Sequence, residues 1–274
     1  MINYTARFAK RFAVLLPGIL ITYVAVHTIY PLFDKRVSAI LAILFTYILT
    51  AYLLIPAAIR FLRLFKPARH LPLYCITPDG FASDPLNVGI IGTKQQLIDS
   101  MQAAGWSTAD KHTLSNIIRA VISTILDRQY KTAPMSSLYL FGRPQDIGFE
   151  LLNDQRGHRH HVRFWATTFE PDQPLNVDTI HWLPLHRHHH ADGVMLWLGA
   201  ASQDVGLAFI RHNAQLTHMI HPDTDKERDL ITRQLASDGA TLLPPIHLQR
   251  PYKITNRVWR GYLQTDGTLQ VCKL

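Results

Sequence analysis

The first 59 residues constrain this chain more than any other stretch. Residues 12–33 carry no formal charge and one histidine, His27, and residues 37–59 carry neither charge nor histidine. Asp34, Lys35 and Arg36 alone separate the two runs. About 20 apolar residues suffice for a helix to cross a bilayer core. The expectation is therefore a two-helix transmembrane hairpin over residues 1–65, with spans at 12–33 and 37–59. A cleaved leader does not fit, because its apolar run is roughly 7–15 residues and ends at a small-residue site. Tyr30-Pro31-Leu32-Phe33 offers no such site. Pro17, Gly18 and Pro56 are compatible with membrane helices, which tolerate such residues. His27 has two readings, a member of a proton path or a neutral side chain near the outer interface.

Lysine and arginine set the expected orientation. Arg7, Lys10 and Arg11 precede the first run, and Arg60, Arg63, Lys66 and Arg69 follow the second, against Lys35 and Arg36 between them. Both termini are expected in the cytoplasm of a multi-pass inner-membrane protein. The lipid bilayer is then one partner, with anionic headgroups or a membrane protein as further ones. Residues 1–69 hold nine basic residues and one acid, and residues 70–274 hold nineteen of each. The net charge of +8 thus belongs to the N-terminal segment. Nucleic acid is not an expected partner, because a footprint for it needs a basic patch on the folded domain. Two cysteines, Cys75 and Cys272, are too few for a disulfide framework and read as reduced thiols.

A Pro-rich linker spans 66–86, with prolines at 67, 72, 78 and 85. Residues 87–274 read as a cytoplasmic domain. Asn87-Val-Gly-Ile-Ile-Gly92 is a buried strand by pattern, and Thr93 with Gln96 forms a capping-box signal for a helix ending at Gly105. A second helix is expected over 114–126 and a third over 223–236. Strands are expected at 137–141, 147–152, 160–167, 195–200, 205–210, 258–263 and 268–273, the last two joined by the Asp266-Gly267 turn pair. The order argues for an α+β fold with a mainly antiparallel sheet and about three helices behind the hairpin.

Several stretches resemble the LssY C-terminal domain family. They are LYLFGR (138–143), DIGFE (146–150), HHVRFW (160–165), LWLGAASQDVGLAF (196–209) and TH-x-I-x-PDTD-x-ERD (217–229), with NVGIIGTKQQLIDSMQAAGW (87–106) ahead of them. The resemblance covers about residues 85–236. It implies a bacterial membrane protein; in this family, named from a locus associated with type I secretion, the domain often follows phosphatase-like or DedA-like membrane regions, and this chain departs from those larger members in offering only a hairpin there. It implies no activity for the domain itself. The Pro-Ser-Gly-His phosphatase element is absent from this sequence, so phosphatase activity is not carried over. The His-rich insert at 181–190 lies outside the family pattern.

Eleven of the 15 histidines fall between 158 and 221. On a strand, alternate residues share a face. His158, His160, Val162 and Phe164 form one face of HRHHVRFW, and Arg159, His161, Arg163 and Trp165 the other. The second face offers guanidiniums, an imidazole and an indole, a set suited to binding phosphate or carboxylate, or else an ordinary polar outer face. Arg143 and Arg228 join His161, Arg163 and Trp165 as candidate binding residues. His186, His188, His189 and His190 form a tract of a metal-binding composition.

THMIHPDTDKERD (217–229) has two readings. His218, His221 and Asp223 are a candidate metal-ligand set, with Asp225 and Glu227 as catalytic general-base candidates. The same residues also read as a helix entry, with Pro222 at the first helical position and acids facing the positive end of the helix dipole. No cofactor is demanded, and a divalent metal is the one candidate. GIIGTK (89–94) lacks the spacing of a nucleotide-phosphate loop. Two functions follow from these features. One is an accessory or binding role at the inner membrane. The other is a metal-assisted hydrolase acting on a phosphate-containing or lipid substrate.

Overall fold

The computed structural model describes residues 19–34, 37–55, 57–58, 71–78, 80–110, 113, 115–116, 132, 135–140, 142–152, 159–169, 175, 180–181, 193–210, 216–255 and 261–274. The chain divides into two compact units. One comprises Met1–Lys66 with Pro78–Gly80, and the other Pro67–Thr77 with Phe81–Leu274.

The first unit is helical. Residues 19–24 lead into a π-turn at Ala25–Ile29 and then into α1 (Tyr30–Asp34). Helix α2 (Ala39–Leu49) runs into a second π-turn at Thr50–Leu54. Ala25, Ala42 and Ala51 are buried, while Ile40, Ile43 and Leu53 are exposed. The His27 ring lies 4.5 Å from that of Tyr23.

This unit corrects the expectation of a transmembrane hairpin. Among the described residues, no helix is long and apolar enough to cross a membrane. The reason is length. A span needs one sustained helix of about 20 residues. Among the described residues the first run is helical over 19–34 and the second over 39–55, through the π-turns, and neither reaches that length. The two-span topology, and the inner-membrane localisation with cytoplasmic termini drawn from it, fall with the hairpin. The fold is a mixed α+β arrangement, mostly sheet after the N-terminal helices.

The second unit is built on one large sheet. Its strands are β3 (Val88–Gly92), β4 (Ser107–Thr108), β7 (Ile147–Leu152), β8 (Arg159–Phe169), β10 (Met195–Phe209), β12 (Thr241–Leu242) and β16 (Thr268–Lys273), in the order β12-β16-β3-β10-β8-β7-β4. Strands β9 (Ile180–His181), β11 (Leu216–Ile220) and β13 (Ile246–His247) attach to β8, β10 and β16. The β16–β3 pair is parallel, and the other pairings in this sheet are antiparallel. A smaller sheet orders β2 (Ala82–Pro85), β1 (Tyr74–Ile76), β5 (Tyr139–Leu140) and β6 (Arg143–Pro144), so it begins inside the Pro-rich stretch. Strands β14 (Tyr252–Thr255) and β15 (Tyr262–Thr265) form a ribbon.

Both faces of the large sheet are covered. Leu97 and Met101 of α3 (Lys94–Ala103), with Ile231 and Leu235 of α4 (Asp225–Ser237), pack on Val88, Ile90, Phe149, Val162, Phe164 and Trp197. On the opposite face Cys75, Leu138 and Leu140 pack on Trp165, Leu196, Leu198 and Val271. The alternation expected for HHVRFW is therefore present, but its Arg-His-Trp face lies between two layers of backbone. Helix α3 carries the expected capping box, with Thr93 Oγ1 accepting from Gln96 N–H and Gln96 Oε1 accepting from Thr93 N–H. Strands 147–152 and 268–273 match expectation, and 195–200 and 205–210 merge into one 15-residue strand. Most of the helix expected at 114–126 lies outside the described residues.

Candidate functional site

Register assembles the site. Glu150 of β7, His161 of β8 and Ser202 of β10 lie directly across from one another. One row along, Arg159 stands opposite Asp204, and one row the other way Arg163 stands opposite Gly148 and Ala200. Strand β2 supplies Asp84 from the covering layer, and β11 supplies His218.

The deep end of this face is a closed network. Asp84 is fully buried and accepts from Arg163 Nη1 at 3.1 Å, and Arg163 Nε donates to the Ser136 carbonyl at 3.3 Å. His161 Nε2 lies 2.8 Å from Ser202 Oγ and 3.6 Å from Asp84 Oδ2. Burial alone would raise the Asp84 pKa, but the neighbouring His161 imidazole and the Arg163 charge outweigh it and hold the carboxyl below its ordinary value.

The other end is open. The Arg159 side chain is 29% exposed and that of His218 46%, whereas the Glu150 side chain is 7% exposed. Asp204 sits between two imidazoles, with Oδ1 3.6 Å from His161 Nδ1 and Oδ2 3.7 Å from His218 Nδ1. Arg159 Nη1 approaches Glu150 Oε2 to 3.5 Å. That oxygen is buried and receives no hydrogen bond. Burial pushes the Glu150 carboxyl up, with Arg159 only partly opposing it. Burial also pushes His218 down, against the pull of Asp204.

The remaining candidate residues are placed elsewhere. His160, next to His161 but on the opposite face, sets Nδ1 2.9 Å from both Glu227 oxygens beneath α4. Asp225 accepts from Thr265 Oγ1 at 2.8 Å and from Asp266 N–H at 2.7 Å, clamping a turn. Burial leads the forces on its carboxyl, and its pKa is raised. Arg228 Nη1 donates to both Asp266 oxygens at 2.8 Å, and its Nε donates to Asp229 at 2.8 Å. Arg143 pairs with Asp146 at 3.0 Å and donates to the Ala166 carbonyl, while Trp165 Nε1 donates to the Arg143 carbonyl at 3.2 Å.

His221 lies in the entry to α4. Its N–H donates to the Gln203 carbonyl at 2.8 Å, and its Nδ1 is 3.2 Å from the Asp223 N–H. Asp223 in turn accepts from Asp225 N–H at 3.2 Å. The helix begins at Asp225, later than expected, and Pro222 precedes it, its carbonyl accepting from Gln264 N–H at 2.7 Å. His218 and His221 therefore serve different places, a polar site and a helix entry. Among the described residues, no three His, Cys, Asp or Glu side chains are grouped so as to hold a metal ion. His186, His188, His189 and His190 lie outside the described residues.

Sequence reasoning missed Asp84, Glu150, Ser202 and Asp204. It also missed Asn87, fully buried, whose Nδ2 donates to the Ala201 and Thr224 carbonyls at 3.0 and 3.1 Å and whose Oδ1 accepts from Ala201 N–H at 2.9 Å. Glu150 carried a readable signal, an acid at an inward position of a strand that is otherwise apolar.

Comparison with known proteins gives one positive result. The family described as LssY C-terminus matches residues 68–258, and the chain belongs to that family. No curated protein and no solved structure matches it.

Proposed function

We propose, from the premise of an LssY C-terminus domain, that this protein has an accessory, binding role, and that its recognition site is the face formed by β7, β8, β10 and β11. One observation carries the reading. Polar side chains from four strands and the covering layer converge there, closed at Asp84–Arg163 and open at Arg159, Asp204 and His218. Small-ligand sites use a few precisely placed polar groups to orient what they bind. By contrast, Arg143 and Arg228 are each already held by carboxylates of the protein, so neither is left to recognise an external anion.

Thermal-shift measurements on the full chain test this. Amines, phosphates and small carboxylates are added to the natural protein and to His218→Ala and Asp204→Asn. The expected outcome is a ligand class that raises Tm in the natural protein and does so less in both variants. Equal responses in all three proteins would remove the face from consideration.

A hydrolytic reading draws on one contact, Ser202 Oγ to His161 Nε2 at 2.8 Å with Asp204 on the far side of the ring. That order matches a nucleophile, its base and an orienting acid. Ser202 is fully buried, which favours the binding reading. Labelling by a fluorophosphonate that disappears in Ser202→Ala would reverse the preference.

A further inference from the structure

Residues 70–274 balance their charges overall, but not evenly along the chain. From Gly239 to Thr265 there is no acid, while Arg250, Lys253, Arg257 and Arg260 supply four cations. Strands β14 and β15 lie in this stretch, and their register divides them into two faces. Tyr252 and Ile254 stand opposite Thr265 and Leu263 on the inner face. There Ile254, Leu263 and Thr265 are buried, and Tyr252 Oη donates to the Leu73 carbonyl at 2.8 Å. Lys253 stands opposite Gln264 on the outer face and is exposed. Its Nζ lies 5.3 Å from the centroid of the Tyr262 ring, and Tyr262 is 44% exposed. Arg250, just ahead of β14, is exposed as well. Among the described residues neither Arg250 nor Lys253 pairs with a carboxylate, whereas Arg143, Arg159, Arg163 and Arg228 each do. Asp266, the first acid after the stretch, is taken by Arg228.

We infer that the outer face of the β14–β15 ribbon docks on a lipid surface rich in anionic headgroups, as a peripheral contact made without a spanning helix. Charge complementarity carries the choice of partner. Each lysine or arginine close to an anionic bilayer adds to the attraction, and the effect fades within a Debye length. Cations already held by a carboxylate contribute little to it, and unpaired ones on an exposed ribbon contribute most. The aromatic ring fits the same place, because a tyrosine has an apolar body and a polar tip and settles at the headgroup level. Single-stranded nucleic acid is the other polyanion to compare. It binds where bases stack on open aromatic rings, and here Lys253 already covers one face of the Tyr262 ring. The ribbon keeps its inner face for the core, so docking on the outer one disturbs no packing. The recognition face on β7, β8, β10 and β11 contributes none of these residues, and the two readings stand independently.

Cys75 and Cys272 are buried, so one added surface cysteine can carry an environment-sensitive dye on the full chain. Gln264→Cys places the dye on the outer face opposite Lys253, and Asp238→Cys, exposed at the end of α4, is the control. Vesicles of phosphatidylcholine, with and without phosphatidylglycerol, are the probes, and oligothymidylate is the contrast. The dye at position 264 is expected to shift to the blue with the anionic vesicles, not with the neutral ones, and to lose the shift in high salt. The dye at position 238 should respond to neither. Adding Arg250→Gln and Lys253→Gln to the position 264 reporter is expected to raise the lipid concentration for half the shift at least tenfold. Attachment of residues 1–69 to vesicles would not imitate this result, because the two substitutions leave that segment untouched. An equal shift with neutral vesicles, a shift that survives both substitutions, or no shift at all would overturn the inference. A shift with oligothymidylate that vesicles do not give would overturn the lipid and assign the ribbon to nucleic acid.

Discussion

Asp84 and Glu150 are two buried carboxyls within reach of the same histidine, yet their environments push them in opposite directions. Asp84 has a guanidinium hydrogen-bonded at 3.1 Å and an imidazole at 3.6 Å, and its pKa falls. Glu150 has an arginine at 3.5 Å, its Oε2 accepts no hydrogen bond, and burial raises its pKa. The consequences for stability differ in sign. The contribution of Asp84 is present above its unfolded pKa and disappears as pH falls through the folded value. For Glu150 the folded pKa is the higher one, so stability is lost as pH rises through it. Asp84→Asn should destabilise the protein at pH 7 by roughly 3–5 kcal/mol, because it leaves a buried arginine without its partner. Glu150→Gln should leave stability unchanged or increase it, more so at pH 8 than at pH 5. Urea titrations of both variants at the two pH values check this pair of signs. Equal losses from the two substitutions would show that Glu150 is as firmly paired as Asp84. These residues were hard to see in the sequence because Glu150, His161 and Ser202 become neighbours only through strand register. His161 and Arg163 were visible because two-residue alternation along one strand is a local property.

Strand β10 is the element that ties the site to the core. Its first half pairs with β3 and β8, and its second half pairs with β11. It reads in sequence as two strands, because Ser202, Gln203 and Asp204 interrupt an apolar pattern. That interruption is the site. Strand β11 was overlooked for a similar reason: its short LTHMI segment leads straight into the turn before α4, and helix-entry chemistry dominates the local sequence. Gly199 marks the tightest point on β10. A Cβ there would meet Phe164 Cε1 at 2.6 Å and the Val88 carbonyl at 3.2 Å. Gly199→Ala is therefore expected to cost about 1–3 kcal/mol, as overpacking of a filled core does. At Gly148 the nearest atom is the Met135 sulfur at 2.8 Å, at the end of a flexible side chain, so Gly148→Ala should cost less. Chemical denaturation of the two variants gives the comparison. A larger loss at Gly148 would mean that Met135 is fixed in place.

At the scale of the molecule, the division into two units is also a division of charge. The excess of basic residues lies in residues 1–69, while residues 70–274 are balanced. Contacts place Pro67–Thr77 and Phe81–Leu274 together, and Tyr252 Oη donates to the Leu73 carbonyl at 2.8 Å to fasten the beginning of that unit to a late strand. A fragment of residues 67–274 is expected to unfold cooperatively, with a Tm within a few degrees of the corresponding transition in the full chain. A fragment that begins at residue 87 should lose stability, since it lacks β1, β2 and Asp84. Circular dichroism melts of both fragments decide this, and equal stability would show the covering layer to be dispensable. The sequence made the α+β character legible because strand and helix periods are local. It misread the N-terminal segment because the length of an apolar run does not fix the length of the helix it forms, and the described helices at 19–34 and 39–55 are shorter than the runs. Parallel pairing of β16 with β3 brings Gln270 beside Val88, about 180 positions earlier. A ribosome adding about 5–20 residues per second therefore needs roughly 10–40 s between making β3 and making its partner. Throughout that interval VGIIG (88–92) waits as an apolar strand whose β16 side is unclaimed, an edge open to mispairing until the end of the chain is made.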